Sequence, residues 1–288
     1  MSGTAEVIRV LGVLCEPPGA EHAHLAAALD LPGPPSPADY FDVFLLQVYP
    51  YASVHLGSEG MMGGEARDRV AGFWRALGLV PPPEPDHLSA LLGLYAALVD
   101  AEEQEPDAAR ALLRRSSRGA LLWEHLLSWC PPYLDKVAAL ATPPYRAWAE
   151  ILAGILVEEA RRVGPQASLP LALREAEGLP EPTDGSGDWV VALLAPVRSG
   201  LIVTRADLAR CARTLDLGLR MGERAYILRA LLEQDADGTV AWLADEADAA
   251  AVRHGSLAST LGEVGRFWRG RAETTAGALR GLEATGVA

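Results

Sequence analysis

Two glutamate–histidine pairs in this sequence stand at a metal-ligand spacing: Glu21 with His24, and Glu84 with His87. On a helix, a Glu-x-x-His step carries both side chains onto one face, as in four-helix bundles that hold paired metal ions. Pro85 lies inside the second pair and Pro81, Pro82 and Pro83 precede it. Glu84 is therefore expected outside the helix that comes next, and the shared face is lost. His22 and His24 alternate near the terminus, the pattern of an exposed helix start. The chain contains neither HExxH nor GxSxG, which would mark a zinc peptidase or a nucleophile elbow. No lysine follows the glycine-rich run Gly57 to Gly64 at phosphate-loop spacing. Cys15, Cys130 and Cys211 are odd in number, far apart and form no CxxC pair, which points to a reducing compartment. Binding rather than bond-making is expected: not an enzyme, with no catalytic residue, metal or cofactor assigned. A carboxylate–histidine metal-dependent enzyme is the competing reading.

The binding chemistry concentrates at Glu84-Pro85-Asp86-His87. Asp86 stands just before an apolar helix, where a carboxylate can accept first-turn N–H groups and complement the positive helix end. The prolines fix how that helix leaves the preceding one, so the segment reads as a hinge. A second acidic cluster, Asp100, Glu102, Glu103, Glu105 and Asp107, lies further along the same stretch of chain.

The elements that position these groups are helical. Val70, Phe73, Trp74 and Leu77 fall on one face of a helix over about 65–78. Leu88, Leu91, Leu92, Tyr95, Leu98 and Val99 extend the rhythm, as do Leu122, His125, Leu126 and Trp129. Tyr145, Trp148, Leu152, Ile155, Leu156 and Glu159 repeat it with a charge at the last position. Period-2 alternation is nearly absent. Leu201-Ile202-Val203 is its best trace, and Thr204 with Asp207 at capping-box spacing turns that stretch toward helix. The fold class is all-α, a helical bundle with an additional C-terminal helical region. Pro131-Pro132 is read as ending the helix that carries Trp129. The expected organisation is an N-terminal helix and linker (1–35), a helical bundle domain (36–163), a linker (164–187) and a C-terminal helical region (188–288). In the last region three or four helices are expected up to about Arg271, with a frayed tail.

The formal charge is −13, and Lys136 is the only lysine among 25 basic residues. Such a surface repels a phosphate backbone and favours a basic peptide or a basic protein patch. No apolar run approaches the ~18 residues of a membrane helix, and Glu6 and Arg9 interrupt the terminus where a secretory signal would be unbroken. Localisation in the cytoplasm, without stable membrane insertion or nucleic-acid binding, is the expectation. Oligomeric state is left open.

Glu84-Pro85-Asp86-His87 opening a leucine-rich helix resembles the signature of the TorD-like redox-enzyme maturation chaperones, which include DmsD-like and NarJ-like branches. The other parts of the pattern occur in order. Phe41 to Ser53 is similar to a family helix running into a Pro-x-x-Ser turn, Val70 to Gly78 to the aromatic helix before the signature, and Glu124 to Pro131 to a later His-Leu…Trp…Pro helix. The resemblance spans roughly 36–160. It implies a helical chaperone that binds the twin-arginine signal peptide, or the apo form, of a molybdopterin oxidoreductase catalytic subunit, assisting cofactor insertion and delaying export. It assigns peptide binding to Asp86 and His87, with Glu84 and Pro85 of the same signature and the aromatic positions Tyr49, Tyr51 and Trp74. A generic helical interaction module is the alternative, and the extra C-terminal residues have no assigned role.

Overall fold

The apolar rhythms of the sequence wind into helices in a computed structural model that describes residues 3–180 and 187–285. Among the described residues there is no β-strand, and the fold is all-α. The chain divides into two compact units, one of residues 1–53 and 62–172, the other of 54–61 and 173–288.

In the first unit, the helices Gly64–Ala76, Leu88–Glu103 and Pro143–Val163 conform to the predicted spacing. Two segments instead adopt wider π-helical turns, Phe41–Gln47 and Leu121–Leu126. Their ends are marked by five-residue steps: the Val48 N–H reaches the Val43 carbonyl at 2.8 Å and the Leu127 N–H reaches that of Leu122 at 2.7 Å. Pro131 and Pro132 do not end a helix. They sit in the first turn of a new one, Cys130–Leu140. A first-turn proline lacks only an N–H that has no intrahelical partner, so the pair is tolerated there.

The core of this unit is aromatic. Phe44 meets Tyr145 and Trp148 edge-on at 4.7 and 5.5 Å. Each buried indole finds a backbone acceptor: Trp148 donates to Leu11 O at 2.9 Å and Trp129 to His125 O at 2.8 Å. Glu159, the charged member of an apolar face, is 1 % exposed. It accepts from the Tyr95 hydroxyl at 2.7 Å, Arg118 at 3.2 Å and Arg162 at 3.0 Å, so its charge is compensated where it is buried.

The second unit packs Trp189, Leu193, Leu208, Leu228, Leu231, Leu243 and Leu279 together. Thr204 and Asp207 form the predicted capping box of helix Arg205–Thr214. The described residues hold more helices here than expected: Gly187–Leu194, Pro196–Ser199, Arg205–Thr214, Arg224–Gln234, Ala236–Leu261 and Glu263–Thr285. The residues after Arg271 are helical to Thr285, and Ala272, Ala276 and Leu279 are core rather than frayed. Of the segment read as a linker, 181–186 lie outside the described residues, while Leu171–Arg174 forms a helical turn that buries Leu173. Gly60, at φ +63°, sits where a Cβ would come within 3.1 Å of the Leu194 carbonyl and of Ala195 Cα.

Trp148→Ala removes a fully buried indole that ties the first helix, Gly3–Val13, to Pro143–Val163. It is expected to cost about 3–5 kcal/mol, read as a lowered urea midpoint.

Candidate functional site

The signature binds two chain stretches together before it presents anything to solvent. Pro50 to Ser53 lies alongside Asp86 to Leu88 as one isolated antiparallel bridge. The Ala52 N–H donates to Asp86 O at 3.0 Å and the Leu88 N–H to Pro50 O at 2.8 Å. The Ser53 N–H donates to the Asp86 carboxylate at 3.1 Å. Asp86 is 2 % exposed. Its carboxylate does not cap the next helix, because it is committed to Ser53. His87 does that work instead: Nδ1 accepts from the Ser89 N–H at 3.1 Å and lies 2.9 Å from the Ser89 hydroxyl. An Nδ1 that accepts an N–H carries no proton, so a neutral ring has its proton on Nε2.

The proline connector is held from outside by helix Gly64–Ala76. Trp74 Nε1 donates to Pro85 O at 3.3 Å, and Arg67 to Pro83 O at 3.1 Å. Glu84 lies before the helix, which starts at Leu88, and is exposed. It accepts the Tyr51 hydroxyl at 2.8 Å, while the Tyr51 ring meets His87 edge-on at 4.8 Å. Burial first, and then Glu84, push the Tyr51 hydroxyl well above its ordinary range, so it remains a donor. Six of the seven predicted site residues thus form one assembly: Tyr51, Trp74, Glu84, Pro85, Asp86 and His87. Tyr49 is half-buried and joins it through the chain, directly before Pro50.

Glu16 and Tyr40 belong to the same neighbourhood. Burial pulls the His87 pKa down, and the charges of Glu84, Glu16 and Asp86 oppose it. Burial raises Tyr40, with Glu16 and Glu84 among the charges that add to it. Glu16 is exposed at the end of the first helix. Its turn is pinned by His22, which is buried rather than exposed: Nδ1 accepts the Gly19 N–H at 3.0 Å, and Nε2 lies 3.3 Å from Glu16 O. Glu21 approaches the same Nδ1 at 3.4 Å, but a nitrogen already accepting an N–H makes no ion pair with a carboxylate. One signal in the sequence points here. Residues 10–53 hold Glu16, Glu21, Asp30, Asp39 and Asp42 and not a single lysine or arginine. Phe41 is 56 % exposed and Val80 89 % exposed, and both leave the site by a short chain path, from Tyr40 and from Glu84.

The second acidic cluster is already engaged. Asp100 pairs with Arg9, Glu105 with Arg114 at 2.9 Å, and Glu102 with Arg115 at 2.8 Å. Arg118 Nε lies 2.9 Å from Glu102 as an ion pair without hydrogen-bond alignment. Asp107 caps helix Ala108–Ala120. Among the described residues, no group of three or more histidines, cysteines, aspartates or glutamates is placed to hold a metal ion. No described helix is long and apolar enough to cross a membrane.

Residues 19–135 match the family model of the nitrate reductase delta subunit. That segment is similar to the redox-enzyme maturation chaperones of this family. The family consists of molybdoenzyme maturation chaperones rather than catalysts, and its members partner with molybdoenzyme catalytic subunits. The matched span begins ahead of the predicted resemblance and contains the whole assembly around the signature except Glu16. No curated protein matches the chain.

His125 of the matched segment packs against Phe73 at 4.8 Å. Burial, with Arg69 adding, holds it neutral down to about 4. An unfolded imidazole protonates near pH ~6.5. Between that pH and about 4 the unfolded chain therefore binds a proton that the folded chain refuses, and stability falls as the pH falls. From pH 7 to 5 the loss from this group is expected at about 2 kcal/mol, and His125→Gln should flatten that part of the urea-midpoint profile. At the signature, Asp86→Ala strands the Ser53 N–H and is expected to cost about 1–3 kcal/mol, more than Asp86→Asn, which keeps an acceptor oxygen.

Proposed function

We propose that this protein is a cytoplasmic chaperone that captures the twin-arginine signal peptide of an apo molybdopterin oxidoreductase subunit and delays its export until cofactor is inserted. The observation that carries the reading is the exposed Glu84 carboxylate on the hydroxyl of the Tyr51–His87 ring pair, with the exposed Glu16 near enough for its charge to act on His87, in a stretch, residues 10–53, that has no lysine or arginine. A peptide with two guanidinium groups leading into an apolar stretch has the complementary chemistry. Tyr51 occupies one lone pair of Glu84 and orients the rest of that carboxylate. Trp74, Phe41 and Val80 supply partly or wholly exposed apolar surface for the peptide's apolar stretch. Asp86, Pro85 and the His87 ring act as positioning residues: they hold the face rather than touch the peptide. Tyr49 lies one residue further along the same edge.

Magnitudes decide how the energy is shared. An exposed arginine–carboxylate pair is worth only ~0–1 kcal/mol. Apolar burial at about 25 cal/mol per Å² therefore carries most of the affinity, and the carboxylates select.

The test is calorimetric titration of the folded chain with a twin-arginine signal peptide from a molybdoenzyme subunit, against a control with both arginines replaced by lysine. Lysine keeps the charge and loses the planar fork, so the control should bind more weakly. Glu84→Gln and Glu16→Gln should each weaken binding by up to about fivefold, with Phe41→Ser and Trp74→Ala weakening it more. Equal affinity for both peptides, or no binding at all, would remove the signal-peptide reading and leave a general interaction module.

A further inference from the structure

Helix Ala108–Ala120 turns its leucines to water and three of its arginines to the protein. Leu112 and Leu113 are the two most exposed leucines among the described residues. With Ala109 and Ser116, both exposed, they fall at i, i+3, i+4 and i+7, so the four share one face. Behind that face, Arg114 meets Glu105 at 2.9 Å, Arg115 meets Glu102 at 2.8 Å and Arg118 meets Glu159 at 3.2 Å. Arg110 is exposed at its border.

The outward face is also finished as a dry surface. The Ser116 hydroxyl donates to Leu112 O at 3.0 Å and the Ser117 hydroxyl to Leu113 O at 3.1 Å. Each proton is used within its own helix, so covering this face strands no hydroxyl donor. None of the four residues on the face is charged. A basic peptide would find Glu102 and Glu105, the carboxylates this helix faces, already engaged. An anionic lipid surface would meet a chain of formal charge −13 whose arginines here are paired. The order of the residues fits a different occupant, a second copy of the same helix.

That order is a palindrome. Read in either direction the face runs small, leucine, leucine, small, with steps of three, one and three residues. A two-fold contact requires that residue i meet j while j meets i. Two antiparallel helices centred between Leu112 and Leu113 satisfy this: Ala109 of each stands level with Ser116 of the other, and four leucines gather at the axis. The small residues at both ends let the two backbones approach. We propose that the protein forms a two-fold dimer through this face, with helix Ala108–Ala120 packed antiparallel on its own copy. Two chains of charge −13 repel, and an uncharged face is where they meet at least cost. One short helix per chain makes a small interface, so the dimer is weak and exchanges rapidly. The proposal is independent of the signal-peptide reading.

The experiment combines sedimentation velocity on the full chain, up to about 0.5 mM, with thiol cross-linking. An equilibrium that stops at the dimer is expected, and salt should strengthen it by screening the repulsion between two acidic chains. The double variant Leu112→Ser with Leu113→Ser should weaken association by about tenfold or more. Its circular dichroism and urea midpoint should be unchanged, because both leucines are exposed. Cross-linking reads the register. Cys15, Cys130 and Cys211 are buried, so an added surface thiol is the reactive one. With copper phenanthroline as oxidant, an equimolar mixture of Ala109→Cys and Ser116→Cys should give a disulfide-linked dimer, and neither variant should do so alone. In the antiparallel pair each position lies about 10 Å along the axis from its own counterpart, beyond the ~7 Å between Cα atoms that a disulfide spans. A chain monomeric throughout, a dimer that keeps its strength in the double variant, or a mixture that cross-links no better than either variant alone would each overturn the proposal.

Discussion

The short antiparallel contact between Pro50–Ser53 and Asp86–Leu88 is the constraint on which the rest of the site depends. Pro50 and Pro85 donate no N–H, so pairing along these stretches is interrupted and only a few backbone bonds can form. Three are made, two between backbones and one to the Asp86 carboxylate. They join residues 33 to 38 positions apart and fix the start of helix Leu88–Glu103. Everything exposed at the site hangs from this bridge: Glu84 two residues before Asp86, Tyr51 one residue before Ala52, and the His87 ring between them. The buried Asp86 thus shapes the face, while Glu84 of the same signature meets solvent.

The same division of labour recurs in the treatment of charge. Glu159 is buried, and its charge is shared among Tyr95, Arg118 and Arg162. Glu102 and Glu105 are largely covered and face the arginines of helix Ala108–Ala120. These carboxylates are engaged within the fold. The Glu84 carboxylate is instead exposed and oriented by a neutral hydroxyl, which leaves its charge for a ligand, and the charge of the exposed Glu16 reaches His87. An acidic protein therefore does not offer its acidity uniformly. Where a carboxylate has an arginine in its own fold it stabilises structure, and where it has only Tyr51 it can select a partner.

Helix Ala108–Ala120 shows how far tertiary pairing can depart from hydrophobic patterning. It buries no residue fully, and Leu112 and Leu113 are 63 % and 68 % exposed while Arg114 and Arg118 turn toward carboxylates. Amphipathic reading assumes that the apolar face goes inward. Here the acidic end of Leu88–Glu103 reverses that choice.

By itself the sequence determined the helical class, the position of the Leu88–Glu103 helix, the capping box at Thr204 and Asp207, and the residues of the signature. Each of these rests on local rules: spacing at 3.6 residues, proline geometry and the reach of a short polar side chain. The sequence also held the acidic bias of residues 10–53, which is visible as composition. It could not reveal which carboxylates are free. Asp86 looks like a cap locally, yet it serves Ser53 through a contact across 33 residues, and His87 takes the cap. Asp100 to Asp107 look like a receptor until Arg9, Arg114, Arg115 and Arg118 arrive from other helices. Pro131-Pro132 reads locally as the stop of the helix that carries Trp129, and the packing of Cys130–Leu140 against Pro143–Val163 makes it a start instead. Local propensity sets what each residue can do, but the partner that claims a buried charge or an N–H comes from a distant part of the chain, and only the folded structure decides which partner that is.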